Sequence, residues 1–406
     1  MTAVRPMRVA YVNHTGSVSG AEKVLIDMVR TLDRATYEPC VICPADGDLA
    51  RLLQEQGVLC VPSPPVHARF TLHPGQLWKA ARSLARAVAA LRKTLSSLDP
   101  DIVHANTLRA GIVASVATFG TDRVVVWHIH DNLPRHAFSA LIRVAALLLR
   151  PDRIITVSDS TARAFRGPLK FNGRISTIHN GTDLSRFPLK SADSPKLRSM
   201  FGIPEDAFLI CAVGQICARK GLLELIDAFT IAHEQAPHMH LVIVGSVVFE
   251  HEKSYFNLLR HASSAPEISR NVHFAGHVHN VSAPLQAADL LVLNSHEEPF
   301  GLVLIEAMSS GTPVLAARVG GIPEIVRDSQ NGWLVESGDT TGLAKHLIRL
   351  SRNGPLLQSV AQRALNETCP QFSLEEFRSK LHRFYAELIP EQAGTLERAQ
   401  SISTCN

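Results

Sequence analysis

Twice along this chain, apolar runs of three to six residues alternate with longer stretches of helical periodicity. In the first half the runs are Arg8–Asn13, Cys40–Cys43, Leu59–Val61, Ile102–Ala105, Arg123–His128 and Arg153–Val157. Helical patterns fall between them at about Ala21–Leu32, Gln76–Leu98 and Ala137–Leu149. The pattern restarts with runs at Phe208–Val213, His240–Val244, Val272–Phe274, Leu290–Asn294, Pro313–Ala316 and Gly332–Val335. Its helices are Gly221–Glu234, Ser254–Ser263, Val281–Ala287, Gly301–Ser309 and Thr341–Asn353. Runs that are apolar throughout belong to strands covered on both faces, and alternation with helices makes the sheets parallel. The expected class is therefore α/β, with two doubly wound, Rossmann-like domains. The turn-rich Asn180-Gly-Thr-Asp183 and the proline-dotted stretch through Pro204 separate them. The predicted domains are residues 1–185 and 186–372. A last helix (Leu374–Leu388, within 373–390) is expected to pack back on the first, and 391–406 forms a tail. Ligands of such sheets bind at the carboxyl ends of the strands.

Composition narrows the function. At 406 residues two cores are expected, and 46% apolar with 19% charged residues is a globular balance. Residues 1–185 carry 22 Lys and Arg against 14 Asp and Glu, whereas 186–406 carry 19 against 23. A basic first half fits an anionic acceptor or a lipid headgroup surface. With no Lys/Arg run and 6% aromatic residues, nucleic acid is not the expected partner. The seven cysteines are scattered; only Cys40 and Cys43 are close, with no second pair at metal spacing, so they read as buried thiols in a reducing compartment. The longest greasy stretch, Ala137–Leu149, is interrupted by Arg143 and falls short of the roughly 20 residues that a spanning helix needs. A cytoplasmic protein is expected, soluble or peripheral at the inner membrane face.

Five segments carry candidate chemistry. Glu298 and Glu306 bracket Glu-Pro-Phe-Gly-Leu-Val-Leu-Ile-Glu, placing one carboxylate on the loop after a strand and the other two turns into the next helix. Bare N–H groups at that helix start would face an anion. In the first strand–helix loop, Asn13-His-Thr-Gly-Ser-Val-Ser-Gly-Ala-Glu22, Gly16 and Gly20 permit close backbone approach and Ser19 can cap. An ordinary turn explains that loop equally well. In Val126-Trp-His-Ile-His-Asp131, His128 and His130 share one strand face. They suit contact with a sugar, a pair of core histidines, or, with Asp131, a metal site short of a further ligand. Gly214-Gln-Ile-Cys-Ala-Arg-Lys-Gly221 brings Gln215, Arg219 and Lys220 to the mouth of a helix, where Lys220 can meet a diphosphate as a point charge. Finally, Gly311…Glu324 puts Gly320-Gly321 after a buried strand, where a ligand or the other domain can approach the backbone.

In this order the pieces resemble the retaining, GT-B-fold glycosyltransferases of family 4. That family joins a G-G-x-E-like loop, an H-D after a central strand, N-G-x-D, G-R-L-x-x-x-K-G, E-x7-E and G-x-P-V…G-G-x-x-E. Here they are Ser19-Gly20-Ala21-Glu22, His130-Asp131, Asn180-Gly181-Thr182-Asp183, Gly214…Lys220-Gly221, Glu298…Glu306 and Gly311…Glu324. The likeness spans about residues 7–390 and is strongest over 205–340.

The resemblance implies two domains facing across a cleft and a nucleoside-diphosphate sugar as donor. No cofactor or metal is implied, and the acceptor is a glycan or a lipid-linked molecule. It places Lys220 on the diphosphate, Glu298 on hydroxyls of the donor sugar and Glu306 on the ribose. Phe300, Gly301, Leu302 and Val303 form the turn whose N–H groups cradle phosphate and sugar, Gly20 lies in the first-domain loop, and His130 lies beside the reacting sugar. Two positions depart from the family: Gln215 replaces the usual Arg, removing a cation that Arg219 or a first-domain cation would have to supply, and Ser19 replaces a glycine. The substitution at Gln215 keeps a second reading open, a catalytically weak or silent subunit that binds sugar nucleotide or a partner transferase. Along Leu77–Leu95, Lys79, Arg82, Arg86 and Lys93 lie opposite Leu84, Val88, Leu91 and Leu95. That pattern suits either an anionic membrane surface or a helix packed on the sheet.

Overall fold

A computed structural model describes residues 5–65, 74–133, 137–189 and 196–389. Their contacts divide the chain into two compact units, Met1–Gly181 with Leu374–Asn406, and Thr182–Ser373.

The first unit is built on strands β1 (Met7–Val12), β2 (Tyr37–Cys43), β3 (Leu59–Pro62), β4 (Ile102–Ala105), β5 (Val124–Ile129), β6 (Arg153–Thr156) and β7 (Ile175–Thr177). They form one parallel sheet in the order β3-β2-β1-β4-β5-β6-β7. The chain reverses its direction of winding between β1 and β4, which opens a crevice at the carboxyl ends of those strands. Three residues sit there, each just beyond its strand: Asn13 after β1, Asn106 after β4 and His130 after β5.

The strand β7 has no counterpart among the predicted runs. It is a half-buried three-residue edge, Ile-Ser-Thr, with too little apolar content to stand out. The helix Leu108–Ala117 also went unpredicted, because it is apolar on nearly every side and has no polar face to reveal a period. It is held close to β5: a Cβ on Gly111 would collide with the Trp127 indole. On the long helix Pro74–Leu98, Ala87, Leu91 and Leu95 are buried in the core of this unit and Leu84 and Val88 pack against it. The apolar stripe considered for a lipid surface is thus used in packing on the sheet.

The second unit contains β8 (Phe208–Val213), β9 (Met239–Val244), β10 (Val272–Gly276), β11 (Leu290–Leu293), β12 (Val314–Ala317) and β13 (Trp333–Val335). Their order is β10-β9-β8-β11-β12-β13, again all parallel. Here the winding reverses between β8 and β11, at Gly214-Gln215 and Asn294-Ser295. The chain enters and leaves this unit side by side, Thr182 N–H donating to the Phe372 carbonyl at 3.0 Å.

The helix Leu374–Leu388 belongs to the first unit. Its Leu381 and Tyr385 are buried, and Tyr385 reaches into the sheet core. Among the described residues no helix is long and apolar enough to cross a membrane. Buried Cys40 and Cys43 have thiols pushed up to about 12 by burial, and both are free cysteines.

Candidate functional site

In the second unit the loop after β8 turns on Gly214 (φ 154°), passes Gln215, and winds through Ala218–Lys220 to Gly221 (φ 59°), which starts the helix Leu222–His233. A side chain at Gly221 would strike the Asn294 carbonyl, while Asn294 Nδ2 donates to the Gly221 carbonyl at 2.9 Å. These contacts bind the loops after β8 and β11 into one surface. Gly214, Gln215, Lys220 and Asn294 line a small cleft on it.

Lys220 and Glu298 meet there, Nζ to Oε2 at 2.5 Å, with side chains 15% and 12% exposed. Ser295 Oγ donates to the same carboxylate oxygen at 3.4 Å. A pair this sheltered holds both charges in a fixed geometry, and each is costly to leave alone. Its position is set by the backbone as well. Gly321 N–H donates to the Glu298 carbonyl at 3.0 Å, and at Gly320 (φ 55°) a Cβ would collide with that same carbonyl. The backbone that approaches the Gly320-Gly321 pair is therefore the Glu298 loop itself.

Beyond Glu298, Pro299-Phe300-Gly301 turns into the helix Leu302–Ser309. Phe300 is buried, its ring 5.8 Å from that of Phe372, so it anchors the turn to the core. Gly301 (φ 104°) gives the helix no side-chain cap, and the N–H groups at Leu302 and Val303 begin its first turn. Glu306 is half-buried and lies just over one turn into this helix, not two, because the helix begins at Leu302. Arg219 is exposed, and its Nη1 donates to the Glu297 carbonyl at 3.2 Å.

In the first unit, Gly20 is exposed and opens the helix Gly20–Thr31 with open space where a Cβ would stand. Gly16 is the tighter position, where a Cβ would collide with the Asp46 carbonyl. Ser19 and Glu22 form a capping box: Glu22 Oε2 accepts from Ser19 N–H at 3.0 Å and from Ser19 Oγ at 2.5 Å. His130 is half-buried and bonds through Nε2 to Asn106 Oδ1 at 3.1 Å. Its ring lies 4.1 Å from that of His128. His128 Nδ1 contacts His104 Nε2 at 3.2 Å, His104 Nδ1 contacts Tyr385 Oη at 2.7 Å, and Tyr385 Oη contacts Tyr11 Oη at 3.1 Å. Burial holds His104 and His130 down to about 3 and His128 well below its ordinary value, so all three rings are neutral at pH 7.

His128 is thus tied inside the sheet through Nδ1, while its buried Nε2 has no hydrogen-bond partner among the described residues. Asn13, Asn106 and Tyr385 had not been singled out from sequence. Each follows a strand or lies near a helix end without a local pattern; Asn13 and Asn106 bond across 93 residues, and Tyr385 and His104 across 281.

Two family models cover most of the chain. The one described as Glycosyltransferase Family 4 matches residues 18–186, and the one described as Glycosyl transferases group 1 matches residues 193–367. The chain is 30% identical to N-acetyl-alpha-D-glucosaminyl L-malate synthase of Bacillus anthracis over 59% of its own length and 60% of that protein's. It is 29% identical to the D-inositol 3-phosphate glycosyltransferase of Salinispora arenicola, over 97% of its length and 92% of the relative's. Among solved structures, that of Anabaena HepE in complex with UDP superposes with a TM-score of 0.81 at 26% identity, covering 94% of this chain and 100% of HepE. With both parallel sheets and both family models in place, the chain belongs to the GT-B-fold glycosyltransferases of the family 4 type.

Proposed function

We propose that the chain transfers a sugar from a nucleoside-diphosphate donor to a glycan or lipid-linked acceptor, with retention of anomeric configuration and without a metal. The observation that carries this reading is the Lys220–Glu298 pair at the carboxyl ends of β8 and β11, beside an uncapped helix start. Lys220 and the first-turn N–H groups of Leu302 and Val303 stabilise charge developing on the departing diphosphate. Glu298 accepts from hydroxyls of the transferred sugar, and Glu306, one turn along the same helix, accepts from the ribose. A carboxylate already paired with Lys220 serves better as a hydroxyl clamp than as a nucleophile. HepE has been crystallised with UDP-glucose, which supports a uridine donor for this chain.

The test is incubation with UDP- and GDP-sugars and candidate acceptors. Nucleotide release should depend on acceptor, and Glu298→Ala should abolish it; unchanged turnover in that variant would sink the assignment. One observation favours a weaker enzyme or a silent subunit: Gln215 brings no charge, and Lys220 is already neutralised by Glu298.

A further inference from the structure

The first unit contains a second ordered line of side chains at its crevice, and its direction can be read from the chemistry of its ends. Glu22 is buried, 2% exposed, and its carboxylate accepts from Ser19 through Oε2 and from Asn13 Nδ2 through Oε1 at 3.1 Å. The Asn13 amide nitrogen also donates to the Thr15 carbonyl at 2.8 Å. Facing two acceptors, that end of Asn13 must be the NH2, so its Oδ1 points the other way. There it accepts from Asn106 Nδ2 at 3.2 Å, and Asn106 Nδ2 donates also to the Ala21 carbonyl at 3.3 Å. The Asn106 amide is thereby fixed as well, leaving Oδ1 toward His130 Nε2 at 3.1 Å. An amide oxygen only accepts, so Nε2 must carry the proton of the neutral ring. Asn13 and Asn106 are 1% and 0% exposed, so water is not available to reverse either amide.

We propose that Asn106 is a positioning residue that holds His130 in the Nε2–H tautomer, with Asn13 and Glu22 fixing the orientation of Asn106. The consequence is at the other ring nitrogen. Nδ1 presents a lone pair and no proton, so His130 accepts a hydrogen bond from a ligand hydroxyl and cannot donate one to a carbonyl or phosphate oxygen. Nδ1 has no partner among the described residues, and His130 is not fully buried. A ring kept neutral by burial retains this asymmetry across the physiological range. The proposal deepens the reading of His130 as a sugar contact and rests on it only for its effect on turnover.

The experiment is nitrogen-15 NMR of the full chain labelled at histidine, without ligand, at pH 7, with the His130 signals assigned by their loss in His130→Gln. Nε2 should resonate as a protonated nitrogen and Nδ1 as an unprotonated one; a proton on Nδ1, or on both, overturns the proposal. Asn106→Leu removes the acceptor, so His130 should populate both tautomers, and kcat should fall at least about tenfold with donor KM changed less than about threefold. Retention of a single Nε2–H tautomer in that variant also overturns the proposal. Asn106→Asp restores an acceptor and adds a negative charge. It should raise the pH at which His130 titrates through its charge and recover the Nε2–H tautomer, and the second of these a purely structural role for Asn106 does not predict. It also serves where the leucine variant fails to fold. Should the tautomers behave as stated while turnover stays unchanged, the placing of His130 beside the reacting sugar falls, not the hydrogen-bond chain.

Discussion

Replacing Gly320 with alanine tests whether the first glycine of a pair, packed against the Glu298 backbone, controls where Glu298 stands. Two costs follow from the geometry. A left-handed backbone at φ 55° costs an L-residue about 1–2 kcal/mol. The new Cβ would also overlap the Glu298 carbonyl, and the main chain on either side must give way. If the Gly321 N–H to Glu298 carbonyl bond is lost in the process, about 1 kcal/mol more goes with it. The sum is about 2–3 kcal/mol, or roughly 4–12 °C in Tm for a unit of this size. Gly202→Ala is the matched control, because Gly202 is also left-handed (φ 63°) but has open space at its Cβ. That variant should lose only the backbone cost, about 1–2 kcal/mol, and keep full turnover. Gly320→Ala should lose about a hundredfold in turnover, since a displacement of ~1 Å in a positioning group costs on that order. The assays are thermal denaturation and acceptor-dependent nucleotide release. Equal Tm losses in the two variants, with turnover intact in both, would refute the claim that Gly320 seats the Glu298 loop.

Other outcomes follow from the same geometry. Gln215→Arg adds a cation to the cleft and should tighten donor binding by about five- to thirtyfold in titration calorimetry; no change would show that the cleft already has sufficient positive charge. Lys220→Met leaves the sheltered Glu298 carboxylate unpaired and should both weaken donor binding and lower Tm, so a variant as stable as the parent would contradict the burial of the pair. His104 and His130 have folded-state values near 3, and His128 is also depressed, against about 6.5 in the unfolded chain. Below pH 6.5 the unfolded chain takes up protons that the folded one refuses. The stability these groups contribute is therefore complete above pH 6.5 and is lost as pH falls toward 3, with a slope of up to about 4 kcal/mol per pH unit for the three together. Denaturation curves at pH 7 and pH 5 should differ accordingly, and a flat profile would argue against neutral buried rings. Tyr385→Phe removes the partner of His104 Nδ1 and of Tyr11, costing about 1–3 kcal/mol on unfolding by denaturant.

What the sequence discloses here divides along physical lines. The strands β4 and β8 coincide with their apolar runs because residues buried on both faces leave no ambiguity of period. Lys220 and Glu298 each stood out beside glycines that bend the chain, but not as partners: Glu298 was read with Glu306 and Lys220 with a diphosphate, and their ion pair is visible only in the fold. The helix Leu108–Ala117 was not, since burial on several sides erases the periodicity by which helices are recognised. Asn106 was illegible for a different reason. It reads as one more polar residue after a strand, and its meaning lies in Asn13, 93 residues earlier, and in the carboxylate behind that. Phe300 carried the opposite risk, since its place in a ligand-binding turn hid its role as an anchor in the core.

Tyr385 and its helix have a consequence for biosynthesis. The hydroxyl that closes the Tyr11–His104 cluster lies 281 residues beyond His104, on the far side of an entire intervening unit. The intervening unit is continuous in sequence and can fold as soon as it has cleared the ribosome. The unit made first must wait, with a buried histidine cluster still open, until the helix Leu374–Leu388 emerges. Synthesis from the N-terminus thus completes the second unit before the first, and a released chain ending before residue 374 would carry all seven strands of the first sheet without the helix that closes its histidine cluster.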